Sequence, residues 1–504
     1  MNNITLDCLT GQKQSVAGQK ASALCQKAQI LLRVIKIWLT KKRIIGNPAV
    51  ELSLRIKGQR TLSGVVPFAV MMKAHPCPGK CTFCVQVPGL PKSYMSDEPA
   101  AQRALLHDFD PAAQVLSRLK QLSLTGHKPE KLQIIVIGGT FSSYPDDYKR
   151  SFIKGLFDAC NGQVADTLEQ AHLLNEHAPH RIIGLSIETR PDWVNAEEIK
   201  LLRECGVTKV QLGVQTLDDA VNARTQRGHT VHDVVKATTL LRDAGFKINH
   251  HLMPNLPGAT PESDLASVSE LFANAGLKPD TIKLYPCIVI PKTPLFMQWK
   301  RGEYQSYDDD TLARLLAQSK ALVPSYCRID RLVRDISRDW TASGTKKTNL
   351  RELVQQNMKA QGLKCICIRC REVRNETEGS RELHFKIDQY TANGGQEFFL
   401  TFNNLEQDKL YAMLRLRLPP KSDTALVREL QVFGRQIPIG THETNSAQHQ
   451  KLGSKLMSKA EKIAKNHDYL KMAVISGVGV RGYYRKLGYH LENTYMVKKF
   501  SELT

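Results

Sequence analysis

The sequence predicts an α/β protein of two units in series: a partial parallel (β/α) barrel, then a smaller mixed α/β domain. Three observations predict it. Between about residues 65 and 335 short apolar runs alternate with amphipathic stretches, the pattern of a parallel sheet whose crossovers are helices. The residues least explained by packing fall just after those runs, where barrels carry their chemistry, and this favours a barrel over an open doubly wound sheet. Beyond residue 386 the pattern becomes a mixed set of strands with one strong helix, over about 120 residues, a normal single-domain size.

Taken in order, residues 1–60 are the basic end, with eleven Lys and Arg against Asp7 and Glu51. Leu24, Ile30, Leu31, Val34, Ile35 and Trp38 recur at helical spacing, so an amphipathic helix is expected to end near Lys41-Lys42-Arg43, stopped by Asn47-Pro48. A solvated basic helix and a nucleic-acid contact both fit; the concentration of charge favours contact. In 61–345 the candidate strands are 65–72, 132–137, 182–187, 209–214, 247–253 and 281–285, with helices over 111–122, 196–205 and 231–244. Gly-x-Gly-x-x-Gly is absent after the first run, which argues against a dinucleotide-binding domain. Residues 346–385 read as a basic, Cys-bearing connector. The last unit, 386–504, carries candidate strands at 397–403, 410–418, 425–432 and 471–475 and a helix at 453–465. No internal repeat or low-complexity tract interrupts the chain.

Composition narrows the function classes. Of 504 residues, 70 are Lys or Arg and 49 Asp or Glu, a net charge of +21 and a pI near 9.4. A protein that basic usually meets a polyanion, nucleic acid first. No run of 18 apolar residues exists and the start lacks a basic-then-apolar signal pattern, so no membrane association or classical secretion is expected. The twelve cysteines are too few for a disulfide scaffold. Six of them form two tight clusters, poor for disulfides and good for metal, and a reducing, cytoplasmic location is expected.

The first cluster is His75-Pro-Cys77-Pro-Gly-Lys-Cys81-Thr-Phe-Cys84. Three thiolates in C-x3-C-x2-C on a loop after the first strand can hold three irons of a cubane and leave the fourth open. Structural zinc, with His75 as fourth ligand, is the alternative. Ile137-Gly138-Gly139-Thr140-Phe141 follows the second strand; Glu188 with Arg190, then Gln215, then Met253-Pro-Asn-Leu-Pro257, fall at later strand ends. Glycine suits a close approach of backbone and ligand, whereas Glu188 and Arg190 could equally form a buried ion pair. Cluster, barrel and glycine pair together resemble the radical S-adenosylmethionine (radical SAM) superfamily. That resemblance implies a 4Fe-4S cluster on Cys77, Cys81 and Cys84, and S-adenosylmethionine on the open iron. It further implies that the backbone of Gly138 and Gly139 lies against the methionine end, with Glu188 and Gln215 as further cofactor contacts.

In the last unit, a strand containing Glu429-Leu430-Gln431-Val432 precedes Gln448-His-Gln-Lys451-Leu452-Gly453-Ser454, which opens the helix. Backbone N–H groups at a helix start bind phosphate. The segment resembles the coenzyme A turn of the GNAT acetyltransferases, with Lys451 where that turn has its first glycine. Ile475-Ser-Gly477-Val-Gly479-Val-Arg-Gly-Tyr483-Tyr484-Arg-Lys-Leu-Gly488-Tyr489 is similar to that family's last motif, in which a tyrosine protonates the departing thiolate.

A radical SAM barrel joined to a GNAT domain, together with Asn222–His229 and the motifs above, closely resembles the Elongator catalytic subunit family. Its bacterial and archaeal single-chain members are tRNA wobble-uridine acetyltransferases. The resemblance spans about residues 60–500. It implies that acetyl-CoA, S-adenosylmethionine and a tRNA anticodon stem-loop give 5-carboxymethyl-uridine at the wobble position. The implied route is hydrogen abstraction from the acetyl methyl, addition to carbon five of uracil, and hydrolysis that frees CoA. Residue by residue it implies that Lys131 reaches coenzyme A, that Glu429, Leu430, Gln431, Val432, Gln448, Leu452, Gly453, Ser454 and Tyr484 contact acetyl-CoA, and that Tyr484 or Tyr483 is catalytic. Cys365-Ile-Cys367-Ile-Arg-Cys370 matches connector cysteines that hold zinc, although three thiolates still need a fourth ligand. An electron donor for the cluster, and accessory subunits or a homodimer, are the further partners implied. Two other readings stay open: a protein lysine acetyltransferase with a structural Fe-S cluster, and a tRNA-binding protein with a degenerate GNAT domain, the latter motivated by Lys451.

Overall fold

The computed structural model describes residues 63–334, 336–347, 349–374, 382–434 and 451–500. The chain divides into two compact units, Met1–Thr61 with Ser117–Pro129, and Leu62–Leu116 with Glu130–Thr504. Within the smaller unit only 117–129 is described; the basic segment 1–60 and Gln448 lie outside the described residues. No described helix is long and apolar enough to cross a membrane.

The larger unit contains two sheets. The first runs β1 (Val65–Met71), β2 (Lys131–Ile137), β3 (Arg181–Thr189), β4 (Lys209–Gln215), β5 (Lys247–Leu252), β6 (Thr281–Leu284) and β7 (Arg328–Arg331). All pairings are parallel and spatial order equals chain order, a half-barrel. The crossovers are helical: α1 (Pro99–Leu106) and α2 (Pro111–Leu124), α3 (Asp146–Asn161) and α4 (Leu168–Asn175), α5 (Ala196–Glu204), α6 (Asp219–Arg224) and α7 (Val231–Asp243), α8 (Pro261–Ala273), then α9 (Pro294–Lys300) and α10 (Asp309–Ala321). Local chemistry sets several starts: Thr167, Thr230 and Thr260 open α4, α7 and α8 with reciprocal capping boxes that satisfy backbone donors otherwise left without partners.

Each of the six strands expected in this half is present. β7 was not foreseen because Arg-Ile-Asp-Arg has no apolar run. Its charges face partners: Asp330 takes Lys209 Nζ at 2.6 Å and Asn249 Nδ2 at 3.0 Å.

After α11 (Leu350–Ala360) and α12 (Ile368–Arg371) come β8 (His384–Ala392), β9 (Gly395–Asn404), β10 (Lys409–Leu418), β11 (Thr424–Val432), α13 (Leu452–Asn466), β12 (Lys471–Val474), α14 (Arg481–Arg485), β13 (His490–Glu492) and β14 (Tyr495–Lys499). The sheet order is β13-β14-β12-β11-β10-β9-β8, and β11–β12 is its one parallel pairing. That pairing joins 424–427 to 471–474, so β11 continues to Val432 past the end of its partner. β8, β13 and β14 are the strands the sequence did not mark. β8 has a single buried residue, Ala392, and the other two are three and five residues long.

The register of β10 and β11 slips so that Glu429 faces Arg415 and Val427 faces Leu416, leaving Arg428 as the extra residue of a bulge. The bulge aims Arg428 at the first half. Its guanidinium donates to both carboxylate oxygens of Asp280 at 2.6 and 2.8 Å and to Glu397 at 3.0 Å. Arg415 donates to Glu429 at 2.8 Å, Arg417 to Glu397 at 2.9 Å, and Lys247 to Glu429. Burial would raise the Asp280 carboxyl, but Arg428 and Arg415 outweigh it and hold the group well below the usual range. Charges removed from water this completely persist only when paired and hydrogen-bonded. The same joint needs glycine elsewhere: a Cβ on Gly477 would overlap the Ile183 carbonyl, and one on Gly479 would lie 2.6 Å from Arg181 Cβ.

Candidate functional site

The loop after β1 carries Cys77, Cys81 and Cys84 over the carboxyl ends of the first sheet. Thr82 N–H donates to the Thr225 carbonyl at 3.0 Å, Leu295 N–H to the Thr82 carbonyl at 2.9 Å, and Lys92 Nζ to the Gly79 carbonyl at 2.7 Å. Phe83 and Cys81 are buried in one apolar cluster with Val221, Leu256 and Leu295. The loop is therefore held both by backbone hydrogen bonds from distant segments and by packing.

Arg227 Nη1 lies 3.3 Å from Cys81 Sγ, and Cys77 Sγ lies 3.8 Å from Thr140 Oγ1. The Cys81 thiol is pulled down to about 5, first by the Cys84 hydrogen bond and then by Arg227 and Arg190, against its burial. A thiol that ionises so readily is a ready metal ligand. Among the described residues, the buried Nη1 of Arg190 and Nε of Arg227 have no hydrogen-bond partner. Three thiols on one loop, one already polarised by a cation, fit a cluster of several irons with an open corner.

Around the same rim stand the other residues expected to meet a cofactor. Gly138 and Gly139 follow β2 with φ of 153° and 89°; a Cβ on Gly138 would come within 3.0 Å of Met72 Cβ, and the Gly138 carbonyl accepts from Tyr144 Oη at 2.9 Å. Glu188, near the end of β3, accepts from Tyr94 Oη at 2.8 Å and Lys283 Nζ at 3.2 Å. The ion pair at this position is thus with Lys283, while Arg190 turns to Asp192. Gln215 closes β4 with a φ of 72°, its carbonyl taken by Met253 N–H at 2.7 Å. Met253-Pro-Asn-Leu-Pro257 supports the cysteine loop from below through Leu256, with Asn255 N–H fixed on Asp264 at 2.7 Å. Sequence reasoning missed Arg227, Tyr94 and Lys283. Only Arg227 left a signal, as part of the Asn222–His229 motif.

Cys365, Cys367 and Cys370 stand at the start of α12 and differ from the first trio. Among the described residues they are the one group of His, Cys, Asp or Glu whose three ligand atoms all lie within 4.8 Å of one another. Cys367 is pulled down by hydrogen bonds from Cys365 and Cys370. Such convergence suits a single ion and leaves its fourth ligand unassigned.

The second sheet gathers the remaining expected residues. Leu452, Gly453 and Ser454 form the first turn of α13, and a Cβ on Gly453 would lie 2.9 Å from Tyr483 Oη and 3.7–3.8 Å from Val432 and Leu430. Lys451, just before them, adopts φ 54°, the left-handed conformation that favours glycine. Past Val427, β11 has β10 on one side and no described strand on the other, so Glu429 to Val432 border the start of α13 along a free edge. Glu429 turns to Lys247 and Arg415, and Gln431 faces Met413 across the β10 pairing.

Tyr483 is 37% exposed and its hydroxyl reaches Ser454; Tyr484 is buried and packs edge-on against Tyr483 and Tyr489. Burial pushes both phenols up, so both keep their protons. Lys131 opens β2 beside Arg181, and burial, then Arg181, pull its amine down. Gly479 packs on that same Arg181. The 475–489 motif therefore docks at the amino-terminal end of β3, whereas the cysteine loop lies beyond the carboxyl ends. Nine residues of β3 at a rise near 3.3 Å separate the two by about 25 Å.

Comparison with known proteins agrees with this fold. The Radical SAM superfamily model matches residues 74–269 and the Radical_SAM C-terminal domain model residues 279–360; that match implies a 4Fe-4S cluster and S-adenosylmethionine. The tRNA uridine(34) acetyltransferase of Dehalococcoides mccartyi (strain CBDB1) is 44% identical over 458 residues, 88% of this chain and 99% of that protein. Elongator complex protein 3 of Homo sapiens is 39% identical over 474 residues, 88% of this chain and 86% of that protein. Among solved structures, the archaeal Methanocaldococcus infernus Elp3 with an N-terminus deletion (1–46) superposes with a TM-score of 0.76 at 38% identity, covering 87% of this chain and 99% of that one. The chain belongs to the Elongator complex protein 3 family, which includes the proteins named tRNA uridine(34) acetyltransferase.

Proposed function

We propose that this protein modifies the wobble uridine of tRNA, using acetyl-CoA and radical SAM chemistry to build 5-carboxymethyl-uridine. The observation that carries the reading is the presence, in one compact unit, of a three-cysteine loop at the strand ends and a helix start beside a free strand edge and a protonated phenol. When bound, the cluster and S-adenosylmethionine supply the radical that takes hydrogen from the acetyl methyl. Cys77, Cys81 and Cys84 hold the cluster, Gly138 and Gly139 leave room along the backbone for the cofactor's methionine end, and Glu188 and Gln215 contact it from the rim.

At the second sheet, the backbone N–H groups of Leu452, Gly453 and Ser454 bind the pyrophosphate of acetyl-CoA. The edge of β11 from Glu429 to Val432 lies along its pantetheine arm, and Lys131 reaches the same molecule. Tyr483 is the better placed of the two tyrosines to give its proton to the departing thiolate, because its hydroxyl stands at the helix start while Tyr484 supports it from behind. Lys451 supports the turn by already occupying the conformation glycine would take. Cys365, Cys367 and Cys370 hold one zinc ion, which metal analysis should find at one per chain beside the iron. The basic 1–60 segment supplies sequence-independent affinity for phosphates, and the target base is splayed from its stack as single-stranded RNA readers require.

The test is nucleoside mass spectrometry on tRNA incubated anaerobically with reconstituted protein, S-adenosylmethionine, reductant and acetyl-CoA. The 5-carboxymethyl-uridine product should form and should vanish in Cys81→Ala. Acetylated lysine in a protein substrate without any need for S-adenosylmethionine would turn the reading towards a protein acetyltransferase. Binding of tRNA with no thioester consumed would turn it towards a binding protein.

A further inference from the structure

Two guanidinium groups are built into the wall beside Cys81, and the chain makes room for both with glycine. A Cβ on Gly79 would lie 2.5 Å from Arg190 Nη1, one on Gly228 3.3 Å from Arg190 Nη2, and one on Gly213 2.7 Å from Arg227 Nη2. Arg190 and Arg227 are 4% and 7% exposed. Their charge states are fixed, since arginine does not deprotonate in proteins. Their partners differ. Arg190 donates to both oxygens of Asp192, through Nε at 2.9 Å and Nη2 at 2.8 Å. Arg227 donates to the Gly213 carbonyl and to Cys81 Sγ, and among the described residues it meets no carboxylate. One charge beside the cysteine loop is thus neutralised and the other is not.

An electron entering an iron–sulfur cluster adds negative charge. Nearby positive charge and N–H donors to the sulfurs stabilise the reduced form, and the effect is strong where water is excluded. We propose that Arg227 is a positioning residue that fixes the Cys81 corner of the cluster and raises its reduction potential with an uncompensated charge, while Asp192 cancels the same influence from Arg190. One electron enters the cluster from an external one-electron donor and no proton moves. The proposal rests on the assignment of Cys77, Cys81 and Cys84 as cluster ligands.

The experiment is a potentiometric titration with dithionite, followed by electron paramagnetic resonance, of the anaerobically reconstituted full chain without tRNA or acetyl-CoA. Iron and sulfide are counted in each sample. Arg227→Gln should keep its iron yet be about tenfold less reduced at a given poise, a midpoint about 59 mV more negative for a one-electron couple. Arg227→Lys, which keeps the charge without the fork, should recover most of that shift. Asp192→Asn should move the midpoint in the positive direction. Loaded Arg227→Gln and Asp192→Asn proteins whose midpoints match the wild type would overturn the proposal while leaving the cluster assignment intact. Should Arg227→Gln lose its iron, Asp192→Asn decides, and an unmoved midpoint there overturns the proposal. A wild-type chain that takes up no iron would instead overturn the cluster assignment and the proposal with it.

Discussion

The two sheets of the larger unit have seven described strands each and carry their candidate chemistry in opposite ways. In the first, parallel strands in chain order bring every carboxyl end to one rim. Residues far apart in sequence, such as Cys81 and Arg227, meet there even though three of the six pairings carry a local register shift. In the second, the site depends on irregularities: a bulge at Arg428, a strand that outruns its parallel partner, and a lysine in a left-handed conformation. Regular topology gathers residues; broken regularity opens an edge.

If the two sheets hold separable chemistry, the largest effect comes from removing a ligand at the rim. Cys81→Ala should abolish iron uptake and nucleoside modification while acetyl-CoA cleavage, followed by thiol release, continues. Loss of both activities in a folded, iron-free protein would break the separation. At the joint, Arg428→Met leaves Asp280 and Glu397 short of a buried partner and should lower stability by about 3–5 kcal/mol, read as a reduced denaturant midpoint. At the second site, Tyr483→Phe should slow thioester cleavage by about a hundredfold and leave S-adenosylmethionine cleavage untouched. A larger loss in Tyr484→Phe would reverse their order.

Acid sharpens the contrast further. His172, His229 and His250 all belong to the first half and are held at about 3, chiefly by burial and then by neighbouring arginines. Their folded values lie below the unfolded one, so their contribution is fully present above pH 6.5 and is lost as pH falls from there towards 3. Each weakens the fold by about 1.4 kcal/mol per pH unit in that window. Hydrogen exchange at pH 5 should therefore show the first sheet opening before the second. The smallest expected effect is at Lys451→Gly, which relieves a left-handed side chain by about 1 kcal/mol and should raise the thermal midpoint slightly, with tighter acetyl-CoA binding.

Legibility in the sequence followed the same division. The strands of the first half were readable because β2, for example, is Leu-Gln-Ile-Ile-Val-Ile after its opening lysine, and strand ends then located Gly138, Glu188 and Gln215. β7 was not readable, since its charged side chains satisfy one another only across the folded interior. Glu429 illustrates a limit of another kind: motif position marked it as a ligand contact, and its neighbours Lys247 and Arg415 lie 182 and 14 residues away. No spacing rule links such residues. Tyr483 and Tyr484 were marked as a pair, and only the hydroxyl's approach to Gly453 distinguishes them.

The strictly sequential order of the first sheet also has a consequence for how the chain is made. Each of its strands pairs with the one synthesised just before it, so the half-barrel can zip up as the polypeptide leaves the ribosome, every closure needing only the crossover that precedes it. Asp280 is different, because its partner Arg428 arrives 148 residues later. Until then its carboxylate must stay wet, and the amino-terminal ends of β5 and β6 with it. The buried ion network thus acts as a late latch in biogenesis, closing only when the second sheet has been completed as far as β11.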